Sequence, residues 1–320
     1  MRILLWHVHG SWTTAFVQGP HQYLLPVLPG RGPDGRGRAR TWEWPDAAVE
    51  VTLEDASTTP VDVALLQRPE ELALCERWLG GRRPGVDLPA VYVEHNAPQG
   101  LVNEMRHPLA DRPELNLVHV THFNDLFWEA GSTPTTVIEH GVLDPGHRYT
   151  GELERCAVAI NEPVRRARVT GTDLLARFAR AAPLDLFGIG TGVLGGVEDP
   201  PQQELHREMA RRRVYLHPIR WTSLGLSLIE AMHLGMPVLA LATTEVADAV
   251  PPDAGLVSTD VERLCGELRR LMKTPSWARQ LGANARRAAL ARYSLRRFLR
   301  DWDDLLAEVT GLRALEEVTA

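Results

Sequence analysis

The chain has 320 residues, 44% of them hydrophobic, with a formal net charge of −6 and a pI near 6.1. That length suggests about two domains with sizeable cores, and the acidic balance argues against a general nucleic-acid binder. Cys75, Cys156 and Cys265 are far apart and form no C-x-x-C, so neither a disulfide framework nor a zinc site is indicated. The opening MRILLWHVHG is too short in apolar residues for a signal peptide. No run approaches the roughly 18 continuous apolar residues of a membrane span. A cytoplasmic protein is expected, with peripheral membrane contact left open. Lys273 is the only lysine, and no function is drawn from that bias.

Arg2–Val8 reads as a strand leading to His9 and Gly10, followed by a Ser/Thr-rich loop to Gln18. GPHQYLLPVL then reads as a helix entered through Gly19, with Pro20 at its first position. In residues 30–46, Gly and Pro break any periodicity, and Arg31, Arg36, Arg38 and Arg40 precede Trp42 and Trp44. Arginines beside tryptophans suit sugars, anions or an interface. The simpler expectation is a solvated excursion with its tryptophans tucked onto the domain. Strand-like runs at EVTL, 61–67, 91–95, 115–122 and 135–142 alternate with helical stretches near 70–79 and 124–130. That alternation predicts a doubly wound parallel sheet. Ligands of such sheets sit beyond the C-terminal strand ends, where His95, Asn96 and His122 fall.

A weakly patterned stretch at 145–153 marks the expected boundary between a domain 1–148 and a domain 149–320. CAVAIN predicts a strand, and the arginine-rich EPVRRARVTGTDLL leads from it into a helix. LDLFGIGTG is another strand with a glycine turn at Gly188. From Val214 the chain reads VYLHPIRWTSLGLSLIEAMHLGMPVLALA: strand, turn at Gly225, helix opened by Leu226 and Ser227, stop at Gly235 and Pro237, buried strand. A helix N-terminus at a strand end suits a phosphate or an oxyanion. Ser227 and Glu230 also fit a capping box, in which the glutamate only returns a hydrogen bond to the cap. Residues 261–272 and 277–293 are amphipathic, and Ser294 opens a final helix, 295–318, that could return to the first domain. Asp301-Trp302-Asp303 copies a D-x-D metal motif but lies mid-helix, where successive side chains diverge, so no metal site is expected.

TSLGLSLIEAMHLGMPVLAL resembles the segment of glycosyltransferase family 4, retaining enzymes of the GT-B fold, written E-G-F-G-L-x-x-L-E-A-M-A-x-G-x-P-V-V. The resemblance implies two Rossmann-like domains facing across a cleft, the sugar nucleotide lying mainly on the second. Glu230 matches the family glutamate that binds the ribose hydroxyls. The family's first glutamate falls on Thr222, which would face the donor sugar, beside Leu224 and the turn amides of Gly225, Leu226 and Ser227. EPVRRARVTGTDLL is similar to G-R-L-x-x-x-K-G-x-D-x-L-L, placing Arg165 on the diphosphate and Thr170 where the family has lysine. Arg168 or Arg166 would restore that charge, a guanidinium suiting a diphosphate. VYVEHNAP resembles the strand ending in a histidine that faces the transferred sugar, which selects His95. VIEHGVLDP resembles V-I-P-N-G-V-D with His140 as the asparagine, a structural position. Gly19 keeps one glycine of the family's Gly-Gly turn, whose backbone faces the donor phosphates, and Pro20 replaces the other.

The expected function is a retaining transferase needing neither metal nor cofactor. It would move a hexose-type sugar from a UDP, GDP or dTDP donor to an unidentified hydroxyl of a glycan, lipid or small molecule. The residues expected in catalysis are His95, Arg165 and Glu230. Gly19, Arg166, Arg168, Gly188, Thr222, Leu224, Gly225, Leu226 and Ser227 join Glu230 around the donor. No residue stands out as a general base, consistent with the front-face displacement the family implies. The losses at Thr222 and Thr170 leave two alternatives: a non-catalytic sugar-nucleotide-binding partner or scaffold, or an epimerase or phosphorylase on the same frame.

Overall fold

The computed structural model describes residues 1–312. It contains two compact units, residues 1–141 with the chain from Leu295 onward, and residues 142–294. Each is built on a parallel sheet with helices interspersed between most strands, the two Rossmann-like sheets of a GT-B fold.

In the first unit β1 (Arg2–Leu5), α1 (Gly10–Phe16), β2 (Gln22–Pro26), β3 (Ala48–Val51), α2 (Leu53–Thr58), β4 (Val63–Leu66) and α3 (Glu71–Trp78) form one half. β5 (Ala90–Glu94), β6 (Asn116–His119), α4 (His122–Phe127) and β7 (Thr135–Val137) form the other. The strand order is β3-β2-β1-β4-β5-β6-β7, and every pairing is parallel. Continuous apolar runs such as Val63–Leu66 are buried on both faces.

The chain between Gly10 and Pro26 reverses the expectation. Gly10–Phe16 is a helix rather than a loop, and Gln22–Pro26 is a strand rather than a helix. Trp12 through Phe16 are all buried, and Thr14 spends its hydroxyl inside the helix, on the Gly10 carbonyl at 2.7 Å. Tyr23, Leu24 and Leu25 form a short apolar run between β1 and β3, which periodicity cannot distinguish from a buried helical turn. The arginine-rich loop folds against this unit: Arg31 pairs with Glu50 at 2.7 Å, Trp44 is 6% exposed, and its indole N–H donates to Thr14 at 2.8 Å.

In the second unit β8 (Leu153–Ala159), α5 (Pro163–Arg166), α6 (Leu175–Ala179), β9 (Leu184–Gly188), β10 (Val197–Glu198), α7 (Gln202–Arg211) and β11 (Arg212–His217) come first. α8 (Leu226–Leu234), β12 (Val238–Leu241), α9 (Val246–Ala249), β13 (Gly255–Ser258), α10 (Val261–Lys273) and α11 (Pro275–Arg292) follow. The order β10-β9-β8-β11-β12-β13 is again all parallel. Asp260 caps α10 by accepting the amides of Glu262 and Arg263. Gly235 ends α8 in the left-handed region at φ 88°.

The division falls between Gly141 and Val142 rather than after residue 148, and α12 (Leu295–Thr310) clusters with the first unit. Val142 enters the second unit's core, and Arg286 holds Asp144 at 2.7 Å. Phe298 and Trp302 of α12 pack edge-on against Trp12. Residues 313–318 of the expected final helix lie outside the described residues.

Two helical glycines separate propensity from packing. A Cβ on Gly282 would meet the Gly235 carbonyl and the Met236 carbonyl carbon, whereas one on Gly266 would meet nothing within 4 Å. Overpacking costs about 1–3 kcal/mol, against the roughly 1 kcal/mol alanine gains in a helix. Gly282→Ala is therefore expected to lower the urea midpoint and Gly266→Ala to raise it. Equal shifts for the two variants would contradict the close approach of α11 to the end of α8.

Candidate functional site

The donor-type residues of the second unit collect at the C-terminal end of its sheet. β11 ends at His217, and the turn 218–225 delivers the chain to α8. Gly225 is the N-cap in extended backbone and no side chain caps the helix. The amides of Leu226 and Ser227 thus open the helix without an acceptor among the described residues. The capping box does not form. Ser227 Oγ lies 2.9 Å from the Tyr215 hydroxyl, which is 3.2 Å from His217 Nδ1. Leu224 is buried in the core, while Thr222 is half-buried in the turn.

Glu230 sits one turn into α8, on its buried face, only 5% exposed. Its carboxylate lies 3.4 Å from His206 Nε2 of α7, and no hydrogen bond to it is made among the described residues. Its oxygens are not among the fully buried unpartnered atoms, so a donor from solution, water or a ligand hydroxyl, can reach them.

The arginine segment is tied to this turn. Val169 accepts hydrogen bonds from Arg220 N at 2.8 Å and Trp221 N at 3.4 Å. Gly171, at φ 72°, lies against the Pro218 carbonyl, where a Cβ would collide with it. Residues 163–173 and 218–227 are therefore one construction. Within it Arg165 pairs with Glu162, and Arg168 reaches Asp173 at 3.1 Å. Arg220 also holds Asp173, at 2.5 Å, and donates to the Arg168 carbonyl at 2.9 Å. Arg166 is half-buried and forms no side-chain hydrogen bond or ion pair among the described residues. Burial, then the neighbouring Arg165 charge, lowers its pKa. Thr170 is fully buried, its hydroxyl on the Ala167 carbonyl at 3.1 Å and Thr172 Oγ1 at 2.9 Å. Gly188 ends β9 at φ 128°, where an added Cβ would lie 2.6 Å from Asn161 Oδ1. Nearby, the Glu198 carboxylate accepts the Gly190 and Gly192 amides, which lower its pKa.

Gly19 and His95 belong to the first unit. A Cβ on Gly19 would collide with the Tyr23 hydroxyl, so packing accounts for that glycine. His95 follows the end of β5, buried, with Nε2 3.0 Å from Gln67 Oε1. Gln67 donates its amide to the Trp6 carbonyl at 2.9 Å, which turns its oxygen toward His95. The imidazole therefore carries its proton on Nε2. The ring of His9 lies 4.0 Å from that of His95, and Trp12 meets it edge-on at 5.1 Å. Burial, then the neighbouring His9 and His140, hold the His95 pKa well below its usual value. Burial likewise depresses His9 to about 4 and His140 to about 3. Arg297 donates to the carbonyls of Glu139 and His140, fixing that turn to α12.

Residues 191–288 match the family described as Glycosyl transferases group 1. A curated relative is the MMP alpha-(1->4)-mannosyltransferase of Mycolicibacterium hassiacum, 31% identical over 124 residues, which are 37% of this chain and 28% of that enzyme. Among solved structures, sucrose-phosphate synthase from Thermosynechococcus elongatus superposes with a TM-score of 0.72 at 14% identity, over 97% of this chain and 99% of that one. HepE of Anabaena, in complex with UDP-glucose, gives a TM-score of 0.67 at 13% identity, over 96% and 100%. The chain carries a group 1 glycosyl transferase domain.

That group 1 domain takes in His206, His217, the Gly225 turn and Glu230, but begins after the arginine segment. Sequence reasoning missed His206, His217 and Arg220. His217 ends a strand, a position that could have flagged it. His206 lies on α7, which carries no motif. A pocket lined by Leu174, Arg220, Leu241, Thr243, Thr259 and Val261 lies at the ends of β12 and β13 and includes neither Glu230 nor Arg166. Among the described residues no three His, Cys, Asp or Glu side chains are placed to hold a metal, and no helix is long and apolar enough to cross a membrane.

Burial also depresses His119 and His217 to about 4. An unfolded imidazole titrates near 6.5, so between about pH 6.5 and 4 the unfolded chain takes up protons that the fold resists. Stability is fully present above that window and falls through it, by up to about 1.4 kcal/mol per pH unit for each histidine. The urea midpoint is expected to drop from pH 7.5 to pH 5, and His140→Asn to reduce the drop. A pH-independent midpoint would show these histidines to be accessible to protons.

Proposed function

We propose that the chain is a retaining, metal-independent glycosyltransferase that moves a hexose-type sugar from a nucleoside diphosphate sugar to a hydroxyl acceptor. One observation carries the reading. Glu230, 5% exposed, accepts no hydrogen bond among the described residues, yet lies one turn from uncapped helix amides and on the sheet end shared with Arg166, which is unpaired among those residues. Ribose hydroxyls satisfy the first, and a diphosphate satisfies the others. The mannosyltransferase relative and the UDP-glucose complex of HepE support a nucleotide-sugar donor.

In this reading the bond from the anomeric carbon to the diphosphate oxygen breaks. The acceptor oxygen bonds that carbon from the same face, and its proton passes to the departing phosphate. Negative charge grows on the diphosphate. Arg166, with Arg165 and Arg168 released from their carboxylates, and the amides of Leu226 and Ser227 stabilise it. Thr222 faces the donor sugar, with a neutral hydroxyl where the resemblance has a carboxylate. The first unit is assigned the acceptor, with His95 polarising the reacting hydroxyl as a neutral imidazole fixed by Gln67.

Release of nucleoside diphosphate from a panel of UDP, GDP and dTDP sugars is expected only with a hydroxyl acceptor present, to be unaffected by EDTA, and to give a product of retained anomeric configuration by NMR. Donor binding without transfer to any acceptor would instead mark a non-catalytic partner. Glu230→Ala is expected to weaken nucleoside diphosphate binding by about 1.5–3 kcal/mol, the loss of a charged hydrogen bond. Unchanged affinity in calorimetry would remove Glu230 from the site.

A further inference from the structure

Glu230 has a neighbour that nothing so far explains. His206 projects from α7 and is 7% exposed, its Nε2 3.4 Å from Glu230 Oε2. The same nitrogen lies 2.8 Å from Gln202 Nε2, one turn earlier on α7. Two proton arrangements are available. With its proton on Nδ1, His206 accepts from the Gln202 amide at 2.8 Å and offers Glu230 no donor. With its proton on Nε2, and the Gln202 amide rotated by a half-turn so that its oxygen faces the ring, the single N–H is shared between Gln202 Oε1 at 2.8 Å and Glu230 Oε2 at 3.4 Å. No other group donates to this enclosed carboxylate among the described residues, so the second arrangement is favoured.

We propose that His206 is a positioning residue for nucleoside recognition: its Nε2–H holds one oxygen of Glu230, leaving the other to accept the hydroxyls of a ribose. The proposal rests on the donor reading of Glu230 given above. α7 thereby becomes part of the binding site without touching the diphosphate. Its effect falls on the pentose, not on the pyrophosphate, and that separates a positioning role from a general loss of structure.

The test is calorimetric titration of the full chain with UDP and GDP and, separately, with inorganic pyrophosphate. Variants are His206→Ala, His206→Gln, Glu230→Gln and the double variant His206→Ala/Glu230→Gln. His206→Ala is expected to weaken nucleoside diphosphate binding roughly tenfold, within the range for coupled polar neighbours, and to leave pyrophosphate binding unchanged. His206→Gln, which keeps an N–H donor at similar reach, is expected to recover most of the loss. In the Glu230→Gln background, removing His206 should have little further effect. Wild-type affinity in His206→Ala, equal losses for nucleotide and pyrophosphate, no rescue by His206→Gln, or full additivity with Glu230→Gln would each overturn the proposal. If Glu230→Gln weakens nucleotide binding while His206→Ala does not, only the role of His206 falls. If neither UDP nor GDP binds the unmodified chain, the donor reading falls with it. Should His206→Ala unfold, the rescue variant and its pyrophosphate control decide alone.

Discussion

The second unit's candidate site depends on one close approach of backbone to backbone. Gly171 lies against the Pro218 carbonyl, and Val169 accepts the amides of Arg220 and Trp221. Any side chain at 171 would force these segments apart, because its Cβ would occupy the space of that carbonyl. Through this contact the arginine segment after β8 and the glycine turn after β11 become one surface. The guanidinium of Arg166 and the amides of α8 share a sheet end because adjacent strands β8 and β11 both stop there. The ion pair of Arg220 with Asp173 ties the same two segments a second time, at 2.5 Å.

A second constraint acts beneath the turn. The imidazole of His217 fills the space a Cβ on Gly225 would take, with Cε1 2.8 Å from that position. Gly225 is thus required by packing from below, independently of any ligand above. The Tyr215 hydroxyl links His217 Nδ1 to Ser227 Oγ. Ser227 therefore faces the strand and does not cap its own helix. The Leu226 and Ser227 amides stay uncapped because the N-cap is Gly225, which has no side chain, so what looks like a capping signature becomes an open helix terminus.

How much of this was legible follows from which interactions are local. Parallel strands with apolar runs, the Gly235 stop and the helix at Leu226 are written in neighbouring residues, and the structure has them where the sequence places them. The place of Glu230 on α8 was legible because its helix sits between two recognisable strands. The swap of helix and strand between Gly10 and Pro26 was not, since GSWTTAF has no charged face and QYLLP is too short to show a period. His206 was illegible for a different reason. Its partner is 24 positions away on another helix, and only the packing of α7 on α8 brings the two within 3.4 Å. Arg220 was hidden in the same way, its meaning supplied by Asp173 across the Gly171 contact.

The missing lysine at 170 finds a physical account in the same geometry. Thr170 is fully buried, with its hydroxyl engaged by the turn that carries the arginines, so this position offers no room for a solvated ammonium. Positive charge has to come from neighbours. Arg165 is held by Glu162 and Arg168 by Asp173, both pairs largely exposed. Exposed pairs of this kind contribute only about 0–1 kcal/mol, so under the proposed function an arriving diphosphate, with several charges, outcompetes a single carboxylate for either guanidinium. Arg166 needs no such exchange, since it is half-buried and unpaired among the described residues, with its pKa lowered by burial and then by Arg165. The electrostatic penalty that lowers its pKa is the one a bound dianion relieves. On this account a single cation stands ready and two more are recruited, which replaces the arginine-and-lysine pair of the resemblance with a triplet on one short turn.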